Sequence, residues 1–343
     1  MAYSVKDIAA ALGAQSFGAV DLLVVRPAEP GMAGPDDLAL AMTPAYGDAL
    51  GASRAQAAVV WPGADWQAFG LKAAIEVPRA RLAMAYLTQA FAPQQHATGI
   101  DSSAVIHSRM PQDVSIGPLS VVAEGVEIGA GTQVASHVSI AAGARIGAHC
   151  IIQAGVRIGA GVQIGDGCIL QPNAVIGADG FSFVTAGPSN EERAFAGMGR
   201  APLSPPDDAI RHRIHSLGSV IIGDNVEVGA NATIDAGTIR PTQVGRGTKI
   251  DNLVQVGHNV IVGEDCVLCA QAAVAGSTVL GDRVVMGGKS GIKDNVQIGD
   301  DVVLGGGAIV LGRVKAGHFV MGYPAMDMPD YRASQKALRN LKR

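Results

Sequence analysis

Aliphatic residues recur at every sixth position along much of the chain. The first run consists of Ile116, Val122, Ile128, Val134, Ile140, Ile146, Ile152, Ile158, Ile164, Leu170 and Ile176. A second run starts at Ile222, Val228 and Ile234, slips by four residues around Thr238 to Thr242, and resumes as Val244, Ile250, Val256, Val262, Leu268, Val274, Leu280, Met286, Ile292, Ile298, Leu304 and Val310. A period of six fits neither a 3.6-residue helix nor an alternating hairpin. It fits a short strand followed by a turn, with one large apolar side chain directed inward per unit.

Three such units close one triangular coil. Stacked coils pair the backbone groups of successive turns and align the aliphatic side chains as an internal apolar column. A small residue stands two positions before each aliphatic one, and glycine often follows, where it tolerates the positive φ of a tight turn. The sequence therefore predicts a mainly β protein built around a parallel β-helix.

Three segments lack the repeat and define the domain organisation. Residues 1–100 read as an α/β domain, with Ser4 capping a helix over 5–12, a strand over 20–25 and a helix over 79–91. The β-helix is expected over 101–322, interrupted by a Pro-rich and charged insertion at about 178–219 that we expect to project as a loop. Residues 323–343 are expected to form a C-terminal helical segment.

Composition narrows the functional classes. Hydrophobic residues make up 48% of the chain and aromatics only 4%, so Val, Ile, Leu and Ala must fill the core. A formal net charge of -4 gives no electrostatic footprint for nucleic acid. No segment approaches the ~20 consecutive apolar residues of a membrane span, and no signal-peptide pattern precedes the first helix. We therefore expect a cytoplasmic protein without a membrane span.

The four cysteines include a C-x-x-C pair, Cys266 and Cys269, which alone would suggest a redox or zinc site. However, Cys150, Cys168 and Cys266 all occupy the small-residue position of the repeat. We interpret them as structural thiols, and we expect no metal site.

His258 lies two positions after the inward Val256, so its imidazole should project from an edge of the coil. The segments around it, DNLVQVGHNV at 251–260 and AGST at 275–278, resemble the UDP-3-O-acylglucosamine N-acyltransferases of lipid A biosynthesis. DGFSF at 179–183, IHSLG at 214–218, GANATID at 229–235 and GYPA at 322–325 follow in the same family order. These enzymes are hexapeptide-repeat transferases, so the resemblance implies a left-handed parallel β-helix.

The resemblance implies a reaction and three catalytic residues. A 3-hydroxyacyl group would move from the 4'-phosphopantetheine thioester of acyl carrier protein to the 2-amine of UDP-3-O-acyl-glucosamine, with no bound cofactor. His258 would be the general base, because imidazole accepts a proton near neutral pH. Asp251 would orient and polarise the imidazole, although it is also a corner residue suited to binding turn amides. Gly276 would donate its N–H to the thioester oxygen, although it is also a position where an ordinary turn glycine fits.

The flanking segments carry the remaining candidates. ALAMTPAY at 39–46 resembles the family's uridine-binding module, in which Tyr46 would stack on uracil and Thr43 would lie beside it. Towards the C-terminus, one predicted helix face carries four cations, which could steer an acidic acyl carrier protein or simply be solvated. These cations are Arg332, Lys336, Arg339 and Arg343. The family resemblance also implies a homotrimer, with the donor groove between neighbouring subunits.

Three other functions remain open from the residues. A hexapeptide-repeat sugar N-acetyltransferase using acetyl-CoA would share the coils and the histidine. A zinc carbonic anhydrase on the same fold would need three converging histidines, but between Ser216 and Gly317 only His258 is available. A non-enzymatic solenoid would explain the repeat but would leave the flanking segments without a role.

Overall fold

The computed structural model describes residues 2–92, 99–198, 200, 202–205, 209–322 and 328–341. The chain forms two compact units, Met1–His96 and Ala97–Arg343, so the division falls four residues before the predicted position 100. Each unit has a hydrophobic core of its own.

The first unit is an α/β domain around a five-stranded mixed sheet. Its strands, in spatial order, are Gln15–Gly18, Ala73–Glu76, Ala57–Val60, Asp37–Ala41 and Arg26–Ala28. The helices are α1 (Val5–Ala11), α2 (Gly47–Gly51) and α3 (Ala80–Phe91), with short 3-10 turns at Pro30–Met32 and Pro44–Tyr46.

The helix predictions for this unit are confirmed, and the strand prediction needs correction. Ser4 accepts a hydrogen bond from the Asp7 N–H and so caps α1. The strand predicted over 20–25 is limited to Leu23–Val24, which pairs with Tyr3–Ser4. The strand Gln15–Gly18 was not predicted, because no alternating pattern marks it; it lies at the edge of the sheet and none of its residues is buried.

The second unit is the predicted parallel β-helix, whose short strands stack into three faces. Face one consists of Val105–Ile106, Val121–Val122, Ser139–Ile140, Arg157–Ile158, Val175–Ala178, Thr233–Asp235, Gln255–Val256, Ala273–Val274, Gly291–Ile292 and Ile309–Val310. Face two consists of Glu127–Ile128, Arg145–Ile146, Gln163–Ile164, Val220–Ile222, Thr242–Val244, Ile261–Val262, Val279–Leu280 and Gln297–Ile298. Face three consists of Ser115–Ile116, Gln133–Val134, Ile151–Ile152, Ile169–Leu170, Glu227–Val228, Lys249–Ile250, Val267–Leu268, Val285–Met286, Val303–Leu304 and Phe319–Val320.

The register explains the hexapeptide period. Ile140 pairs with Ile158, so a regular coil contains 18 residues, or three units of six. The inward aliphatic residues of both runs are buried and form one continuous column. Buried hydroxyl groups bridge successive coils: the Thr132 hydroxyl donates to Gly147 O at 2.8 Å and accepts from the Cys150 N–H at 3.0 Å. The fold class predicted from the sequence is confirmed.

The cysteine interpretation agrees with this packing. Cys150, Cys168 and Cys266 are buried inside the column and are not disulfide-bonded. Cys269 is partly exposed. Burial is the main reason that the pKa of the Cys266 thiol is raised, which keeps it protonated.

The insertion is more ordered than a loop. It leaves after the face-one strand Val175–Ala178 and returns at the face-two strand Val220–Ile222. Within it, Phe183–Val184 pairs with His212–Arg213 as a two-stranded antiparallel sheet. Helix α4 (Asn190–Gly197) begins with a capping box made by Ser189 and Glu192. The predicted projecting loop therefore contains a two-stranded sheet and a helix.

The C-terminal segment forms helix α5 (Met328–Asn340), none of whose residues is buried. Within the described residues, no helix combines the length and the apolar character that crossing a bilayer requires.

Candidate active site

One edge of the β-helix carries every interruption of the second unit's repeat between residues 178 and 242. We call it corner one: the set of turns that lead from face one to face two. The insertion leaves there, the slipped segment 236–241 follows one coil later, and the turn containing His258 follows in the next coil. Gly276 lies in the corresponding turn one coil further on. Because stacked strands lie about 4.8 Å apart, these segments become neighbours.

His258 is half-buried beside a cavity of about 660 Å³ at corner one. The imidazole lies outside the apolar column, as its position after Val256 predicts. The cavity is lined by Asp179, Phe181, Asp235, Gln255, Gly257, His258, Ala273, Val274, Ala275, Gly276, Gly291, Ile292, Lys293, Ile309 and Leu311.

The next residue, Asn259, holds the ring. Asn259 is 8% exposed, and its side-chain Oδ1 lies 2.9 Å from Nδ1 of His258. The same Oδ1 accepts hydrogen bonds from the N–H and the hydroxyl of Thr238, at 3.2 and 3.0 Å. No sequence pattern singles out Asn259, because its partners come from the slipped segment of the preceding coil.

Two glycines pack closely on opposite parts of His258. A Cβ atom added to Gly276 would lie 2.8 Å from both Cε1 and Nε2 of the ring, and a Cβ on Gly180 would lie 2.7 Å from Cβ of His258. Real Cβ contacts essentially never fall below 3.0 Å. Glycine at both positions therefore allows the ring to lie where it does, and it brings the Gly276 backbone next to Nε2.

The backbone N–H of Gly276 is available to a ligand. Among the residues that the structure describes, no acceptor pairs with this N–H, although the Gly276 carbonyl accepts from the Asn295 N–H at 3.1 Å. A free donor beside the Nε2 atom of a histidine is the arrangement that an oxyanion site requires.

Two carboxylates, Asp179 and Asp235, line the cavity with His258, and Asp235 is the one whose pKa the imidazole charge affects. Burial raises the pKa of Asp235, and this effect is opposed by a hydrogen bond from Gln255 and by the charge of His258. Asp235 was not among the site residues predicted from the sequence. Its strand pairs Thr233 with Gln255, which is 22 residues later because of the slip, so counting one slipped coil back from the residue before His258 leads to Asp235.

Small side chains form the floor of the cavity beyond His258. Along face one, the outward positions of successive coils are Ala273 and Gly291, followed by Ile309. Phe181 from the insertion, 87% exposed, lines the same cavity. Lys293 places its ammonium 5.5 Å from the ring centroid of Phe195 in α4, so the insertion also packs beside this groove. These residues form an apolar groove that begins at His258.

The two members of the predicted Asp251–His258 dyad do not meet within one chain. Asp251 follows a face-three strand, so it lies at the corner that leads into face one, whereas His258 lies at the corner that leaves it. Its two carboxylate oxygens accept hydrogen bonds from the N–H groups of Asn252 and Ala270, at 2.7 and 3.0 Å. A separation of seven residues spans one strand and one turn, which moves a side chain to the next corner of the prism. Asp251 therefore binds turn amides.

The two predicted uridine-binding residues lie together in the first unit. Thr43 and Tyr46 are exposed and directly follow the carboxyl end of the strand Asp37–Ala41, with Tyr46 at the end of the turn Pro44–Tyr46. Ligands of open α/β sheets bind outside the carboxyl ends of the strands. The position suits a ligand-binding role for both residues.

The predicted basic face is present on α5. Arg332, Lys336 and Arg339 are exposed and line one shallow surface depression of this helix. Arg343, the fourth predicted member, lies outside the described residues.

Possible metal ligands do not converge in the described part of the chain. There, no group of three or more His, Cys, Asp or Glu side chains is arranged to hold a metal ion. The three converging histidines that a zinc carbonic anhydrase needs are not found among these residues.

The chain matches two models of hexapeptide repeats. Residues 143–178 and 241–276 match the bacterial transferase hexapeptide (six repeats), and residues 219–257 and 277–311 match the hexapeptide repeat of succinyl-transferase. Among solved structures, the UDP-N-acetylglucosamine acyltransferase of Arabidopsis superposes with a TM-score of 0.51 at 19% identity, covering 70% of this chain and 76% of that one. This likeness supports the fold.

Curated relatives are similar over much more than the repeat. The UDP-3-O-acylglucosamine N-acyltransferase of Ruegeria pomeroyi is 55% identical, covering 100% of this chain and 95% of the relative. The enzymes of the same name from Paracoccus denitrificans and Pseudomonas syringae are 52% and 34% identical, covering 81% and 79% of this chain and 76% and 71% of those relatives. The chain is therefore an acyltransferase that belongs to the UDP-3-O-acylglucosamine N-acyltransferase family.

Proposed function

We propose that this acyltransferase moves a 3-hydroxyacyl group from acyl carrier protein to the 2-amine of UDP-3-O-acyl-glucosamine, in the cytoplasm and within lipid A biosynthesis. The observation that carries the proposal is that Nε2 of His258 lies next to Gly276, whose backbone N–H is free, at the mouth of an apolar groove. The names of the full-length relatives support the acceptor. No bound cofactor takes part, because the donor brings its own 4'-phosphopantetheine arm.

The geometry supports general-base catalysis. The amine nitrogen attacks the thioester carbon, and Nε2 of His258 accepts the proton that the nitrogen loses. Negative charge on the thioester oxygen is stabilised by the Gly276 N–H, an interaction of ~3 kcal/mol in comparable sites. When the C–S bond breaks, the imidazolium returns its proton to the departing thiolate. Asp235 stabilises the positive imidazolium from within the same cavity, which is the role that the sequence assigned to Asp251.

The decisive test is His258→Ala, assayed with UDP-3-O-acylglucosamine and a 3-hydroxyacyl carrier protein. We expect turnover to fall at least ~100-fold with an unchanged melting temperature, because a positioned general base typically contributes ~10²–10⁴-fold. His137→Ala is the matched control, since His137 is an exposed corner residue in a distant coil. Near-normal turnover of the His258 variant would overturn the mechanism. Efficient acylation by acetyl-CoA in place of the carrier would favour the sugar N-acetyltransferase alternative.

The exposed cations of α5 support a carrier-docking role. Acyl carrier protein is acidic, and a basic face raises the rate of encounter with an acidic partner in a salt-dependent manner. Replacing Arg332, Lys336 and Arg339 together by Glu should raise KM for the acyl carrier protein by about 10-fold or more at low salt. Turnover with a short acyl-pantetheine thioester should be unchanged. Equal loss with both donors would contradict docking through this helix.

The proposed nucleotide and oligomer assignments each have a direct measurement. If Tyr46 stacks on uracil and Thr43 lies beside it, Tyr46→Ala should raise KM for the UDP-sugar without lowering turnover of bound substrate. If the donor groove is shared between neighbouring subunits of a homotrimer, the 34.9 kDa chain should sediment as a species of about 105 kDa. A monomer with full activity would contradict the shared groove.

A further inference from the structure

The amide of Asn259 has only one orientation that satisfies its neighbours. Its Nδ2 donates to the carbonyl oxygen of Arg240 at 3.1 Å, and its Oδ1 accepts from the backbone N–H of Thr238 at 3.2 Å. Backbone groups have fixed roles, since a carbonyl only accepts and an N–H only donates. Exchanging Oδ1 and Nδ2 would place two donors and two acceptors face to face, so the orientation is set by chemistry.

This orientation determines which ring nitrogen of His258 carries the proton. Nδ1 lies 2.9 Å from an oxygen that can only accept, so the neutral ring must be protonated at Nδ1. Nε2 is then the unprotonated nitrogen, and it is the atom that adjoins Gly276 and the cavity. A base needs its lone pair on the side of the reacting group.

The slip in the hexapeptide repeat supplies the groups that hold Asn259. Thr238 and Arg240 lie within the slipped segment, and the Thr242 hydroxyl at its end accepts from the Asn259 N–H at 2.9 Å. A regular turn, such as 257–260, has four residues, whereas the slipped segment 236–241 has six. The slipped segment is itself fixed by the insertion, because Leu217 and Gly218 donate N–H bonds to the carbonyls of Thr238 and Gly237 at 2.9 and 2.8 Å.

We propose that Asn259, held by the slipped segment 236–241, is a positioning residue that locks His258 in the Nδ1–H tautomer and so makes Nε2 the base. The proposal rests on the proposed function only in naming Nε2 as the catalytic atom. The tautomer itself is a property of the substrate-free protein. The repeat irregularity thus serves the chemistry of the neighbouring coil.

The direct test is the ¹⁵N chemical shifts of His258 in the unliganded, ¹⁵N-histidine-labelled protein, with the His258→Ala spectrum used for assignment. When the imidazole is neutral, we expect Nδ1 to be the protonated nitrogen. In Asn259→Gly, which keeps the positive φ of 61° without strain, the shifts should move toward the other tautomer. Turnover should fall about 10-fold or more, within the general-base contribution, with KM unchanged.

Two further variants separate positioning from folding. Asn231→Gly is the matched control, because Asn231 occupies the same turn position at φ 55°, is exposed, and should leave both readouts unchanged. Asn259→Asp keeps the accepting oxygen but adds a negative charge that stabilises the imidazolium. The acidic limb of the kcat/KM profile should therefore shift to higher pH by about one unit or more. An Nε2–H ring in the unmodified protein, or unchanged shifts in Asn259→Gly, would overturn the proposal. Loss of activity in His258→Ala would in that case still leave the proposed function standing.

Discussion

Gly276→Ala is the substitution whose effect follows most directly from distances. The added Cβ would lie 2.8 Å from Cε1 and Nε2 of His258, whereas ordinary contacts begin at 3.4 Å, so the ring or the turn must yield by about 0.6 Å. The ring is tethered by the 2.9 Å bond to Asn259, and an outward displacement of this size would stretch that bond to the limit of hydrogen bonding. Gly276 does not have a positive φ, so alanine fits its backbone.

The expected magnitude comes from the displacement of the base. A misplacement of about 1 Å can cost ~100-fold in rate, so we expect turnover to fall about 10- to 100-fold. The Gly276 N–H is retained by alanine, so the loss reports on the ring. The melting temperature should change little, because Gly→Ala at a compatible φ stabilises by about 0.4–1 kcal/mol and offsets part of the crowding.

Initial rates with carrier-bound donor and calorimetric melting temperatures measure both quantities. Gly288→Ala is the matched control: Gly288 occupies the same position of its repeat unit, but its added Cβ would meet only Ala270 O at 3.5 Å. Full activity in Gly276→Ala would refute the inference that the glycine exists to admit the imidazole. A loss of activity shared equally by Gly288→Ala would refute it as well.

Three further predictions concern the neighbours of His258 and the thiols. Gly180→Ala should lower turnover by displacing His258, whose Cβ lies 2.7 Å from the added methyl group; an unchanged rate would show that the insertion yields instead. Asp235→Asn should raise the melting temperature at pH 7, because the raised pKa means that ionising the buried carboxyl costs stability. That gain should shrink as the pH falls toward 3.8, the ordinary value for Asp, and a constant gain would exclude ionisation as its source. Iodoacetamide should alkylate Cys269 alone in the native protein, since the other three thiols are buried; mass spectrometry of the digested protein identifies the labelled site.

The repeat made the scaffold predictable from the sequence. Each six-residue unit predicts the position of one inward side chain. The apolar column, and the position of His258 outside it, could therefore be predicted by counting residues. The start of helix α1 was marked by the capping residue Ser4. Short strands without alternation, such as Gln15–Gly18, left no signal because only tertiary pairing defines them.

The partners of His258 were less predictable, because they depend on which corner a residue occupies. Asp251 is near His258 in sequence but lies at another corner, whereas Asp235 is distant in sequence and shares the cavity. Assigning corners requires the coil length, and the slip makes one coil 22 residues long instead of 18. The slip is visible in the sequence, but the hydrogen bonds of Thr238 and Arg240 to Asn259 could not be predicted from it.

The location of the site at an irregular corner has a physical cause. Strands of a solenoid cannot accept extra residues, because each backbone group is paired with the coils above and below. Additional chain must therefore enter at a turn, and insertions in neighbouring coils at the same corner lie about 4.8 Å apart. The insertion beginning at Asp179 and the slip at Thr238 satisfy this condition in consecutive coils, and the turn of His258 follows in the next coil. The turn of His258 is itself regular, so the groups that orient its ring through Asn259 come from the additional chain of the slipped segment one coil earlier.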